Sequence, residues 1–152
     1  MKKCLINLLL VTAFVLSTGS TTWVLAEDYN SISPQDLKTR LDRGDIEQGR
    51  LTLFSTQTEK EYAKGFLPTA IPTFARPLES KSDYRKLDPV LAHVKGSDTE
   101  IVIICPRGGS GARRAYDYFK EHGIEPGRML LLEGGQEHYT KIYPQDVMTT
   151  GR

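Results

Sequence analysis

The sequence predicts an α/β fold, a three-layer α/β/α sandwich around a central, mostly parallel sheet. Three observations predict it. Short apolar runs alternate with capped amphipathic segments, as strand–helix–strand units require. Residues 101–104 are four consecutive Ile or Val side chains, a run suited to a strand covered on both faces. The chain has 152 residues, 39% of them hydrophobic and 26% charged, which suits one ordinary globular domain rather than a disordered chain.

The 20 Lys and Arg nearly balance the 19 Asp and Glu, which argues against a protein that coats nucleic acid. Two cysteines are too few for a disulfide scaffold. No internal repeat is visible.

The first segment reads as a secretory signal peptide over residues 1–26. Lys2 and Lys3 precede an apolar run from Leu5 to Ser17, and Val24-Leu25-Ala26 offers small residues before a cut. The run is shorter than the roughly 20 apolar residues that span a membrane. Cleavage after Ala26 would leave residues 27–152 as a single domain, periplasmic or secreted, slightly acidic and with one thiol, Cys105. Retention of the segment as an anchor is the alternative.

The first helix opens at Ser33, a candidate N-cap, with Pro34 in the first helical position and Asp36 in the first turn. Ile32 and Leu37 are spaced for a hydrophobic staple. Leu37 and Leu41 share a face, and Gly44 stops the helix. Residues 50–55 read as a strand. Thr58 and Glu61 then form a capping box for a short helix that Gly65 ends. Prolines 68, 72 and 77 make the next stretch loop-like. Asp88-Pro89 opens a helix carrying Val90, Leu91 and Val94 and closed by Gly96. Residues 100–105 form the most strand-like segment. A helix from about Ser110 to His122 turns Ala112, Ala115, Tyr116 and Phe119 inward, and Met129–Leu132 is the last strand.

Cys105 ends that most strand-like segment, and ligands of parallel sheets gather at the carboxyl ends of strands. Pro106, Arg107, Gly108, Gly109, Ser110 and Gly111 follow it, then a helix. Successive amides in such a loop can form an anion-binding nest, and the helix N-terminus adds partial positive charge. Both favour a thiolate, and Arg107 is a nearby cation. A lone exported thiol can also be inert and buried, or paired with another chain.

Cys105-Pro106-Arg107-Gly108-Gly109-Ser110 resembles the active-site loop of single-domain rhodaneses, the sulfurtransferases. Glu61-Tyr62-Ala63-Lys64-Gly65-Phe66-Leu67-Pro68-Thr69-Ala70 looks like that family's amino-terminal signature, and Leu132-Glu133-Gly134-Gly135 like its carboxyl signature. The resemblance spans roughly residues 30–143. It implies a five-stranded, mostly parallel sheet within the sandwich and a ping-pong transfer through a Cys105 persulfide. Cys105 would be the nucleophile. The loop Pro106–Gly111 would bind substrate, with the amides of Arg107 to Gly111 cradling the persulfide and Arg107 holding the donor. Ser110 would either bond the outer sulfur or cap the helix. The donor would be a small sulfur anion such as thiosulfate or polysulfide. The acceptor would be cyanide, a thiol or a partner protein in the same compartment, with no cofactor, no metal and no nucleic acid.

The chain departs from the family pattern at several positions. Ser55 and Gln57 stand where the family usually has Asp and Arg, so a structural ion pair is absent. Phe66 replaces a usual His, and Tyr139 an aromatic that is often Trp. These departures motivate the alternative of a catalytically weak or inactive rhodanese-like module that binds a partner protein or carries sulfur.

Other chemistries fit less well. Phosphatases and arsenate reductases of the same fold place Arg after five residues from the Cys, and here that position is Gly111, with Arg113 and Arg114 further along. A nucleophile elbow would put its serine directly after the strand, and Ser110 lies too far on. Neither a complete dinucleotide fingerprint nor a Walker loop is present. His93, His122 and His138 lack ligand spacing, and His122 suits a helix carboxyl end.

Overall fold

Five strands lie in one sheet in the order β1-β5-β4-β2-β3, and every neighbouring pair is parallel. This computed structural model describes residues 29–150, so the segment read as a signal peptide lies outside the described residues. The elements run β1 (Ser31–Ile32), α1 (Pro34–Asp42), β2 (Leu51–Ser55), α2 (Glu59–Lys64), β3 (Ile71–Pro72), α3 (Lys81–Arg85), α4 (Asp88–Lys95), β4 (Glu100–Ile104), α5 (Ser110–Glu121), β5 (Met129–Leu132) and α6 (Gly135–Ile142). The expected fold class is observed.

Alternation along the strands builds two cores, one on each face of the sheet. Phe54, Ile101, Ile103 and Met129 join Val90, Leu91 and Val94 of α4 and Ala112, Ala115, Tyr116 and Phe119 of α5. Leu51, Leu53, Val102, Ile104 and Leu132 join Leu37 of α1 and Tyr139 of α6 on the other face. Both faces of β4 are therefore covered, as its unbroken apolar run requires.

The helix signals read from sequence act as expected. Ser33 caps α1 by accepting from the Asp36 amide at 3.0 Å, and Ile32 and Leu37 are buried in one core. The Thr58–Glu61 capping box of α2 is complete.

Four elements went unread. The stretch expected to be loop between Pro68 and Pro77 contains β3, whose Ile71 and Pro72 pair with Phe54 and Ser55. Proline is tolerated there because β3 is an edge strand. β1 is equally short, α3 is a five-residue helix on a Ser80–Asp83 capping box, and α6 starts directly at the glycine pair of the carboxyl signature.

Asp45 organises the turn between α1 and β2. Its fully buried carboxylate accepts from Arg40, Arg43 and Arg50 at distances from 2.5 to 3.2 Å. Those guanidinium contacts hold its carboxyl well below the usual carboxylate range.

Candidate active site

β4 delivers Cys105 to the carboxyl edge of the sheet, one residue beyond the strand. β2 lies alongside in register, with Ser55 opposite Ile104, and the Thr56 amide donates to the Ile104 carbonyl at 2.8 Å. Cys105 and Pro106 are buried, whereas Arg107, Gly109 and Ser110 are exposed.

The loop is seated from below by α6. The amides of Gln136 and Glu137 donate to the Cys105 and Pro106 carbonyls at 2.8 and 2.9 Å. Close approach makes this possible. Gly108, Gly134 and Gly135 all have positive φ, near +68°, +69° and +63°. A Cβ on Gly135 would collide with the Cys105 carbonyl and stand 2.5 Å from the Gly108 nitrogen, and one on Gly108 would stand 2.7 Å from the Gly134 nitrogen. The glycine pair read as a carboxyl signature is thus a backbone platform for the cysteine loop.

Among the described residues, the amides of Arg107, Gly108, Gly109 and Ser110 donate to no other group. They stand at the N-terminus of α5, a 12-residue helix with no acid in its first turn. Unsatisfied amides and the helix dipole together favour an anion.

A cavity of about 90 Å³ opens there, lined by Cys105, Pro106, Arg107, Gly109, Ser110, Gly111 and Arg76. Five of these belong to the expected loop Pro106–Gly111, whose remaining residue, Gly108, lines a separate cleft with Tyr29 and Arg113. Ser110 is the first residue of α5 and makes no cap bond. Gly109 holds the cap position, so the capping role for Ser110 is not realised, and Ser110 instead lines the cavity.

Arg76 was not anticipated. It sits in the proline-rich stretch just before Pro77, and its spacing to Cys105 carries no signal. Its amide donates to the Thr56 carbonyl at 3.1 Å, and its guanidinium pairs with Glu61, the capping-box residue of α2. Phe66 and Phe74 pack on Tyr62 beside that pair, with ring centroids 4.2 and 5.5 Å away. Burial there pushes the Tyr62 hydroxyl above its ordinary pKa.

Arg113 and Arg114 do not line the cavity. Arg113 lies 5.6 Å from the Tyr29 ring centroid, and Arg114 donates to the Pro77 carbonyl and to Glu79 at 3.1 and 3.3 Å. His122 meets the carboxyl end of α5, its Nδ1 standing 2.7 Å from the Tyr118 carbonyl. The buried Ser55 and Gln57 form a neutral pair. The Ser55 hydroxyl donates to Gln57 Oε1 at 2.8 Å, and Gln57 Nε2 donates to the Gly65 carbonyl at 3.0 Å. Tyr139 is fully buried, and its hydroxyl donates to Asp146 at 3.0 Å. Among the described residues, no group of three or more His, Cys, Asp or Glu is placed to hold a metal ion.

Residues 33–141 match the family model described as a rhodanese-like domain. A tRNA uridine(34) hydroxylase of Cupriavidus taiwanensis is 32% identical over 106 residues, which are 69% of this chain. The chain spans only 35% of that relative's length. The fold is also that of an As-Sb reductase from Leishmania major (TM-score 0.66, 18% identity, covering 82% of this chain and 88% of that one). A thiosulfate sulfurtransferase from Pseudomonas aeruginosa is similar as well (TM-score 0.56, 17% identity, covering 80% of this chain and 20% of that one). The match to the family model and the seating of the cysteine loop on its glycine pair lead to one assignment: this chain belongs to the rhodanese-like domain family.

Proposed function

We propose that the protein is a sulfurtransferase that carries a sulfane sulfur on Cys105. The observation that carries this reading is the cavity of about 90 Å³ lined by Cys105, with unsatisfied amides around it and Arg76 and Arg107 in its lining. A space of that size suits a small sulfur anion. The Cys105 thiolate attacks the outer sulfur of a donor such as thiosulfate. A new S–S bond forms to Sγ, the donor's S–S bond breaks, and sulfite leaves with the electron pair. The loop amides then hold the anionic persulfide, and a thiolate, cyanide or protein thiol removes its outer sulfur. Pro106, Gly108 and the adjacent glycines act through loop shape, while Arg107 and Arg76 attract the donor.

The test is a gain of one sulfur on Cys105, read by mass spectrometry after exposure to thiosulfate, polysulfide and a thiol persulfide. Turnover with cyanide is followed in parallel. Cys105→Ser should abolish both signals. A chain that gains no sulfur from any of the three donors is not a sulfurtransferase and falls to the partner-binding alternative.

We also propose that the chain acts outside the cytoplasm after cleavage near Ala26. The basic start, apolar run and Val24-Leu25-Ala26 support this. Mass measurement of the exported product should find Glu27 as its first residue, and retention of Met1–Ala26 would refute cleavage.

A further inference from the structure

A groove of about 620 Å³ lies between α3, the start of α4 and α5, on the opposite face of the sheet from α1 and α6. No residue that lines it also lines the Cys105 cavity, and the sulfur chemistry makes no use of it. Its volume falls within the roughly 300–1,000 Å³ of small-molecule sites. α3 runs alongside α5, since Glu79, just before α3, meets Arg114 and Tyr84 meets Tyr118. One wall is a row of rings. Tyr118 stands between Tyr84 and His122, with ring centroids 5.3 and 4.1 Å away. Tyr118 is held in place by donating its hydroxyl proton to Asp88 at 2.6 Å, a bond that pushes its pKa up to about 12. His122 Nδ1 lies 2.7 Å from the Tyr118 carbonyl. A carbonyl only accepts, so Nδ1 carries the proton and Nε2 is left as an acceptor in the neutral ring.

A second observation is that the charges along the groove are unevenly engaged. Asp88 is taken by Tyr118, and Asp117 accepts from the Tyr29 hydroxyl at 3.1 Å. Arg114 is held by the Pro77 carbonyl and Glu79. Among the described residues, the other three charged groups of the lining, Lys81, Arg85 and Glu121, have no ion-pair partner. Lys81 and Arg85 stand four apart on α3, a like-charge spacing that weakens a helix and that a bound anion offsets. Glu121 lies seven residues beyond Arg114, about 10 Å further along α5. Its carboxylate and His122 Nε2 therefore make an acceptor end, and α3 supplies a cationic flank nearer Arg114.

We propose that this groove binds a planar aromatic amine carrying a phosphate group, the chemistry of a nucleoside monophosphate. The phosphate answers to Lys81 and Arg85, which pair with no acid of the chain. The ring stacks on the row of Tyr84, Tyr118 and His122. The exocyclic amino group donates to Glu121 or to His122 Nε2. Cation, ring and acceptor follow one another along α5 in the order of phosphate, sugar and base in such a ligand. Binding makes and breaks no covalent bond, and the proposal does not depend on the sulfurtransferase reading.

The experiment titrates the full chain with adenosine 5′-monophosphate, with adenosine and with inorganic phosphate, followed by backbone NMR. The nucleotide should bind at least about tenfold more tightly than either fragment, the worth of one stacked base or one charged contact, with shifts at Lys81, Arg85, Tyr118 and His122. Lys81→Glu/Arg85→Glu should abolish nucleotide binding while adenosine still shifts Tyr118 and His122. Lys64→Glu/Lys141→Glu, the same charge change on α2 and α6, should leave the nucleotide affinity unaltered. His122→Ala should weaken the nucleotide severalfold and leave phosphate unaffected, and its position at the exposed end of α5 keeps the fold out of the comparison. Equal affinities for nucleotide and phosphate would reduce the groove to an adventitious anion patch and overturn the proposal. So would nucleotide binding that survives Lys81→Glu/Arg85→Glu, or an absence of shifts at the four named positions.

Discussion

Gly135→Ala tests whether backbone contact with α6 seats the cysteine loop. Two costs combine. An alanine at φ near +63° adopts a left-handed conformation, at about 1–2 kcal/mol. Its Cβ also meets the Cys105 carbonyl and stands 2.5 and 2.7 Å from the Gly108 and Arg107 nitrogens. These are backbone atoms that cannot swing aside, and forcing an extra methyl into a packed site costs about 1–3 kcal/mol. The total is roughly 2–5 kcal/mol against a typical stability of about 5–15 kcal/mol. With a urea slope near 2 kcal/mol per molar, the unfolding midpoint should fall by about 1–2.5 M.

The same substitution must push the loop off α6 and lengthen the bonds from the Gln136 and Glu137 amides, so sulfur loading of Cys105 should slow as well. Gly111→Ala is the comparison. Nothing lies within 4 Å of a Cβ there, and replacing a glycine inside a helix stabilises by about 0.5–1 kcal/mol. Urea unfolding and persulfide mass spectrometry on both variants decide the matter. If Gly135→Ala unfolds at the unaltered midpoint and loads sulfur normally, close backbone approach is not what holds the loop.

Arg76→Ala should raise KM for thiosulfate and lower kcat/KM by roughly ten- to a hundredfold, the worth of a hydrogen bond to a charged group; steady-state kinetics unchanged from the unaltered protein would remove Arg76 from the donor site. Asp45→Asn should destabilise the fold at neutral pH. The Asp45 carboxyl is held below its ordinary value in the folded chain, so its stabilisation is full above about pH 4, the unfolded value, and drains away as pH falls below that. The melting-temperature gap between Asp45→Asn and the unaltered protein should therefore narrow on acidification, and a gap that widens contradicts this account. Gln57→Ala should cost about 1–3 kcal/mol by chemical denaturation, because it strips the Gly65 carbonyl of its donor in a buried setting. Ser55→Asp alone should be worse than Ser55→Asp/Gln57→Arg, since the lone carboxylate would be buried without a partner.

The helices with caps and periodic apolar faces were legible because cap chemistry and spacing are local. Ser33, Thr58 and the α5 stripe from Ala112 to Phe119 behave as their positions dictate. β4 was legible for the same reason, and the position of Cys105 followed from it. What escaped was decided by tertiary pairing. β1 and β3 are two residues each and become strands only because β5 and β2 lie beside them. α6 begins in two left-handed glycines whose value is their contact with Cys105 and Gly108, a relation between residues some 30 apart. Arg76 joins the lining of the Cys105 cavity through a fold-back of the proline-rich stretch, and Ser110 lost its capping role because the helix begins one residue earlier than that role requires.

Two separate scaffolds meet at the thiol, and they explain why the departures at Ser55, Gln57 and Phe66 leave the loop intact. α6 fixes the loop backbone through Gln136 and Glu137. α2 fixes Arg76 through Glu61, and the carboxyl end of α2 is in turn held by Gln57 bonding the Gly65 carbonyl. Replacing an Asp–Arg pair by Ser–Gln keeps hydrogen bonds at the same two-residue spacing while avoiding the desolvation of two buried charges. Phe66 replaces a polar ring with one that stacks on Tyr62, which keeps α2 packed beside Arg76. Each change lies on the α2 side, whereas the Cys105 carbonyl answers to α6. The two supports should separate by readout: Gln57→Ala acts through α2 and Arg76, so it should raise KM for the anionic donor. Gly135→Ala moves the thiol itself, so it should slow loading even at saturating donor.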